Sequence, residues 1–282
     1  MSGDESRAPR GNLPWWALPG LAATAPLAAL AGAPAVAHAL FHPAVLAFVF
    51  SATQANCTWF GPVVTHFATP RREVWLTIDD GPDPEDTPRL LDLLDASNAR
   101  ATFFVIGDKA RRHPELVDEI LRRGHSLGNH TQTHPVTRFW ASGPWSARRE
   151  IERAGSDIRH PTALVRAPAG MANAFVHRAA RRLGLVMVGW SVRGYDTRAN
   201  AGAVIAERVG FQLAPGRIVM LHEGHRDKGG QSHHPAIVSA VLEKFRQGGW
   251  TTALPPRGAW LSGGRPLAPT VSVDAQTQAD GC

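Results

Sequence analysis

Two adjacent carboxylates, Asp79 and Asp80, close a short apolar run, and two imidazoles, His130 and His134, follow later in the chain at an i,i+4 spacing. Together they amount to three metal ligands and a spare base. A hydrolytic zinc-type site needs three protein ligands, an open position for water and a group to take the water's proton. Taken singly, each part has a bland reading. Asp-Gly after a strand is a common turn, and i,i+4 histidines also arise by chance. Arg166 alone reads as a surface or salt-bridge arginine, and His222, at the end of the apolar run 218–221, as a core histidine.

The elements that must position these residues are legible as short β-rich runs alternating with longer helical ones. Strands are expected at 74–78, 101–106, 125–127, 164–166, 186–190, 218–222 and 251–254, and helices at 87–97, 114–123, 144–159, 174–183, 203–213 and 235–247. Pro88, Pro114 and Pro235 sit near helix starts, and Gly124, Gly184 and Gly248 at helix ends, where a left-handed cap is expected. Strand and helix in alternation predict a parallel α/β fold, a barrel. Asp79 and Asp80 then close the first strand and His130 and His134 follow the third. Arg166 closes the fourth, Asp196 follows the fifth and His222 closes the sixth. In a parallel barrel those ends open onto one rim, where active sites are built. That convergence weighs more than any single motif.

The strings carrying these residues are Thr77-Ile-Asp-Asp-Gly-Pro82, Gly128-Asn-His-Thr-Gln-Thr-His-Pro135, Arg166-Ala-Pro-Ala-Gly170, Trp190-Ser-Val-Arg-Gly-Tyr-Asp196 and Ile218-Val-Met-Leu-His222. In kind and order they resemble the polysaccharide deacetylases of carbohydrate esterase family four, which include chitooligosaccharide and peptidoglycan N-deacetylases. The resemblance covers residues 73 to 255. It implies a distorted barrel of seven to eight β/α units and an Asp-His-His site in which Asp80, His130 and His134 ligate one divalent metal ion, by analogy Zn²⁺. Asp79 would be the base that activates water, and His222 would protonate the leaving amine. Arg166 would orient Asp79, Asp196 would hold the imidazole of His222, and the backbone N–H near Ala169 would stabilise the oxyanion. The chain departs from the family pattern at Ala167, Ala169, Arg193 and Thr197, which stand where a proline, an aromatic, an acid and a tryptophan are usual. A groove less aromatic and more basic than a chitin-type site follows, suited to a phosphate-bearing or lipid-linked sugar. Asn129, His125, His225, His233 and His234 are read as loop residues near the rim, with an additional metal role as the alternative.

Residues 11–70 contain no Asp, Glu, Lys or Arg. Within them, 13–33 and 35–53 are apolar runs of roughly membrane-spanning length, with Trp15 and Trp16 at one edge as in an interfacial belt. Two anchoring helices at the inner membrane of a bacterial-type cell are expected, with the side taken by the catalytic part left open. One span plus a buried segment, or a cleaved signal peptide, are the alternatives. The expected organisation is 1–69 as N-terminal segment, 70–262 as catalytic domain and 263–282 as a disordered tail. The net charge of +6 comes from 27 Arg and 3 Lys against 24 acids. These cations have no interleaved aromatics, which argues against a nucleic-acid partner. Cys57 and Cys282 support neither a disulfide framework nor a metal spacing. The partner expected instead is an N-acetylated glycan or glycolipid. A deformylase or O-deacetylase on the same fold, and a non-catalytic glycan-binding barrel, are the other readings.

Overall fold

The computed structural model describes Thr24, Pro26, residues 31–197 and residues 201–267. Its centre is a curled sheet of parallel strands. In chain order these are β2 (Glu73–Gly81), β3 (Ala101–Val105), β4 (Ser126–Asn129), β5 (Leu164–Val165), β6 (Val186–Met187), β7 (Val192–Arg193), β8 (Ile218–His222) and β9 (Thr251–Thr252). They lie in the spatial order β6-β5-β4-β3-β2-β8-β7, with β9 paired to the start of β2.

Strand alternation sorts the side chains into two layers. Val74, Leu76 and Ile78 of β2, Phe103 and Val105 of β3, and Val219 and Leu221 of β8 pack outward, beneath the helices. Trp75, Phe104, Ile218 and Met220 point into the curl. Both faces are therefore covered, which is why these strands read as nearly continuous apolar runs. The same alternation carries Thr77 and Asp79 to the inner face, where a polar cluster can form above an apolar floor. Trp75 makes that floor: its ring stacks on Trp260 at 6.0 Å, and its indole N–H donates to Thr102 Oγ1 at 2.7 Å.

The expected helices are present at Asp86–Ala96, Pro114–Arg122, Pro144–Ile158, Ala174–Arg182, Gly202–Phe211 and His234–Gln247, and a short one at Gly107–Arg112 was not foreseen. Asn173 caps the helix that follows it by accepting from the N–H groups of Phe175 and Val176. Gly124 and Gly184 have the left-handed backbone expected of them; after His234–Gln247 it is Gly249, not Gly248, that adopts it. Leu90, Leu91 and Leu94 are fully buried, each stabilising the fold by roughly 1.5–3 kcal/mol relative to exposure.

The expected barrel does not close strand to strand: among the described residues no ladder joins β6 to β7. A segment from outside the β/α repeat covers that seam instead. Val64 bridges Val188 on one side and His66 bridges Arg217 on the other, while β1 (His66–Phe67) pairs with β10 (Trp260–Ser262). β10 turns back at Gly263 and Gly264 onto β11 (Arg265–Pro266), so the ordered chain runs past residue 262. The rest of the expected tail, 268–282, lies outside the described residues.

The second apolar run forms one helix, Pro34–Thr53. Ala44, Ser51 and Ala52 are buried, while Phe41, Leu46 and Phe50 are exposed. Of the first run, 13–33, nearly all lies outside the described residues. Among the described residues no helix is long and apolar enough to cross a membrane, so the two expected anchoring helices find no support there.

Candidate active site

Adjacent residues of a strand point to opposite faces, so Asp79 and Asp80 can serve one site only if the strand is irregular there. It is. The β2–β3 register shifts between Asp79 and Gly81, and Asp80 has a left-handed backbone, φ 74°. A bulge of this kind re-aims a side chain next to an active site. Thr131, His134, Ala169 and Tyr195 also have positive φ. Non-glycine residues held there store strain, which tends to gather at functional sites.

Asp80, His130 and His134 offer ligand atoms that all lie within 4.8 Å of one another. Nε2 of His130 is 3.3 Å and Nε2 of His134 is 3.2 Å from the same oxygen, Asp80 Oδ1. Nδ1 of His130 is 2.9 Å from the backbone carbonyl of Arg166. A carbonyl only accepts, so Nδ1 carries the proton and Nε2 turns its lone pair to the site, as a metal-ligating histidine requires. Burial, with the neighbouring His130 next, pushes the His134 imidazole down to about 4, leaving it neutral near pH 7. Burial would raise the Asp80 carboxyl, but His130, His134 and His222 outweigh it and hold the group well below the usual carboxylate range. Asp80 Oδ1 is buried and accepts no hydrogen bond. An anionic oxygen without a donor, faced by two imidazole nitrogens, is a donor set that fits a divalent cation.

The loop carrying both histidines is braced from three elements. Asn129 accepts from Thr131 N–H and donates to Ile151 O. Glu150 accepts from the backbone N–H groups of Gln132 and Thr133, and the amide of Gln132 donates to Asp108 and Asp157.

Two further pairs flank the cluster. Arg166, with no exposed surface, donates from Nη1 to Asp79 Oδ1 at 2.6 Å and Thr77 Oγ1 at 2.8 Å, and from Nη2 to Gly189 O at 2.7 Å. Its guanidinium lies 4.1 Å over the ring of Phe104. Asp79 Oδ2 is left facing His130 Nε2 at 3.9 Å. Opposite, Asp196 accepts from His222 Nδ1 at 2.9 Å and from its backbone N–H at 2.7 Å. The parallel register sets Asp79 of β2 beside His222 of β8. Burial would lower the His222 pKa, but Asp196 first, then Asp79 and Asp80, raise it to about 9.

Six of the sequence-predicted side chains thus meet around one cluster, and Asp196 holds the sixth. Ala169 is the apex of a turn, Pro168–Gly170, separated from Arg166 by Ala167 alone; Gly170 packs so closely on Trp190 that an added Cβ would lie 2.5 Å from its ring. Arg193 stacks at 5.6 Å on Trp190 and at 4.7 Å on Tyr195. His125 is a core residue whose Nδ1 accepts from Ala101 N–H, and His233 pairs with Asp227. His234 and His225 do reach the site: His234 Nδ1 is 3.7 Å from Asp196, and His225 Nε2 is 3.4 Å from Asp80 Oδ2. Sequence reasoning passed over Thr77, Glu150 and Lys109, whose ammonium donates to Asp80 O at 2.6 Å. Nothing in their spacing marks them.

Residues 67–188 match the polysaccharide deacetylase family. A chitooligosaccharide deacetylase of Sinorhizobium fredii is 38% identical over 156 residues, which cover 54% of this chain and 72% of that one. The chain belongs to the polysaccharide deacetylase family. A second family member, a peptidoglycan-N-acetylglucosamine deacetylase of Bacillus cereus, is 36% identical over 186 residues, 62% of this chain and 82% of that one. Among solved structures of the family, a carbohydrate esterase of Streptomyces lividans in complex with acetate superposes with a TM-score of 0.59 at 26% identity, covering 70% of this chain and 97% of its own.

The buried Arg166–Asp79 pair makes a stability prediction. Removing one partner of a buried ion pair strands the other charge and costs about 3–5 kcal/mol. Arg166→Ala should therefore lower the denaturant midpoint markedly, measured by urea unfolding. A midpoint unchanged from the parent would mean that Asp79 does not depend on this guanidinium.

Proposed function

We propose that this chain is a metal-dependent hydrolase that removes the acetyl group from an N-acetylated amino sugar, releasing acetate and a free amine. The observation that carries the reading is the pairing of Asp79, tethered by Arg166, with His222, tethered by Asp196, on either side of Asp80, His130 and His134. A divalent ion held by those three residues, Zn²⁺ by analogy with the family, would supply a Lewis acid that lowers the pKa of water and polarises the acetamide carbonyl.

The chain's own groups do the rest. Asp79 takes the proton of the attacking water; with Oδ1 bound by Arg166, Oδ2 is the oxygen available for it. His222 carries a proton on Nδ1 toward Asp196, an acceptor only, so the proton it delivers leaves from Nε2 to the sugar nitrogen as the C–N bond breaks. The backbone N–H of the Ala169 turn serves as an oxyanion donor.

The substrate is an envelope glycan or a lipid-linked glycan precursor, handled at the inner membrane of a bacterial-type cell. Supporting this are the charge-free stretch 11–70, the exposed Phe41, Leu46 and Phe50, and the basic Arg193 over the rings of Trp190 and Tyr195. The test is acetate release from a panel of N-acetylated glycans and glycolipids, with the new group identified as amine or hydroxyl. Acetate with a free amine is expected. Formate, or a free hydroxyl, would replace this reading by a deformylase or an O-deacetylase. Membrane fractionation of the full chain checks the location.

A further inference from the structure

The two oxygens of Asp80 keep different company. Oδ1 faces Nε2 of His130 and of His134 and accepts no hydrogen bond. Oδ2 faces His225, whose Nε2 is 3.4 Å away. His225 does not belong to the close set of ligand atoms formed by Asp80, His130 and His134. It stands outside that set, 46% exposed, on the loop that follows β8.

That loop is clamped on both sides of His225. Asp86 is fully buried at the start of its helix, and its Oδ2 accepts from Gly224 N–H at 2.8 Å, Ser232 Oγ at 2.7 Å and Arg226 Nη1 at 3.2 Å. Arg226 also donates from Nη2 to Asp83 Oδ1 at 2.7 Å. Gly224 has φ +79°, and a Cβ there would lie 3.0 Å from the Nζ of Lys109, the same ammonium that binds the backbone carbonyl of Asp80. The rings of His222 and His234 flank the imidazole at 5.8 and 5.4 Å. A half-exposed side chain at the end of an ordinary loop would not have its neighbours bound to a buried carboxylate by three donors.

We propose that His225 is a positioning residue of the cation site: its Nε2–H holds Asp80 Oδ2, so that the carboxylate is presented to the cation through Oδ1. A carboxylate free to turn would offer both oxygens and crowd the position that water and the acetamide need. The imidazole acts through Asp80 and does not itself bind the ion. Partners of this kind fix the orientation of a ligand, and their loss weakens metal binding by about 10–100-fold. The inference rests on the reading of Asp80, His130 and His134 as metal ligands.

The test titrates the full chain, stripped of metal, with Zn²⁺ against a chromogenic chelator, and with Co²⁺ while the visible spectrum is recorded. His225→Ala is expected to bind Zn²⁺ at least about 10-fold more weakly and to change the Co²⁺ band positions, with its circular dichroism and thermal unfolding unchanged. His225→Gln, which restores an N–H donor, is expected to recover most of the affinity. An alanine variant with the parent's affinity and spectrum overturns the proposal. Loss that glutamine does not rescue, with a Co²⁺ spectrum showing one nitrogen ligand fewer, overturns it in favour of direct ligation. A parent chain that takes up neither ion refutes the underlying metal assignment instead.

Discussion

Alanine at Asp80 or at His134 is expected to leave a protein without bound metal and without turnover. Asp80 Oδ1 lies within 3.3 Å of both imidazole nitrogens, so one ion between them can take a ligand atom from each of the three residues. Removing Asp80 or His134 leaves two protein ligands, too few for a structural or catalytic zinc-type site. Asp79→Asn should behave differently. It keeps the shape of the side chain but removes the base, so metal content measured by elemental analysis should stay at the parent level. Turnover should fall by about 10²–10⁴-fold, the usual contribution of a general base. Metal lost from Asp79→Asn would show that the roles of the two aspartates are exchanged. Full activity in either alanine variant would end the metal reading altogether.

Asp196→Asn is expected to move the alkaline limb of the pH–rate profile toward lower pH. His222 must be protonated to act as the acid, so the rate holds below its pKa and falls as pH rises through it. Burial pulls that pKa down; the charge of Asp196 is the largest influence raising it, and the balance lies at about 9. Asparagine keeps an acceptor for Nδ1–H but removes the charge, and loss of a close opposite charge shifts a pKa by about 1–3 units. A cation taking up the charge of Asp80 lowers the limb in parent and variant alike, so the difference between them reports Asp196. The measurement is kcat/KM against pH for both proteins. Coincident alkaline limbs would remove His222 from the role of acid.

Much of this site was readable before any coordinates, for a physical reason. Strands buried on both faces announce themselves as apolar runs, and polar residues at their carboxyl ends stand out against them. Asp79, Asp80, Arg166 and His222 were placed in that way, and His130 and His134 by their spacing. What stayed hidden depends on pairing across the fold. The bulge at Asp80 exists only relative to β3, and the seam segment at Val64 and His66 only relative to Val188 and Arg217. Asp86 reads as an ordinary first-turn acid until Gly224, Arg226 and Ser232 converge on it. His225 could be suspected of belonging to the site, but not told apart from His233, because the loop between them has no periodicity to orient it. β11, at the start of the expected tail, is two residues long and defined solely by its partner, β10.

The seam has a consequence for how the enzyme can be divided. Asn56 donates to and accepts from the backbone of Trp190, and Val63, Val64 and Phe67 are buried among strands on either side of the gap. Trimming at residue 70, the natural cut if hydrophobic leader and catalyst were separate modules, would pull a stave from the cup. The segment before residue 70 and the sheet whose gap it fills are one unit.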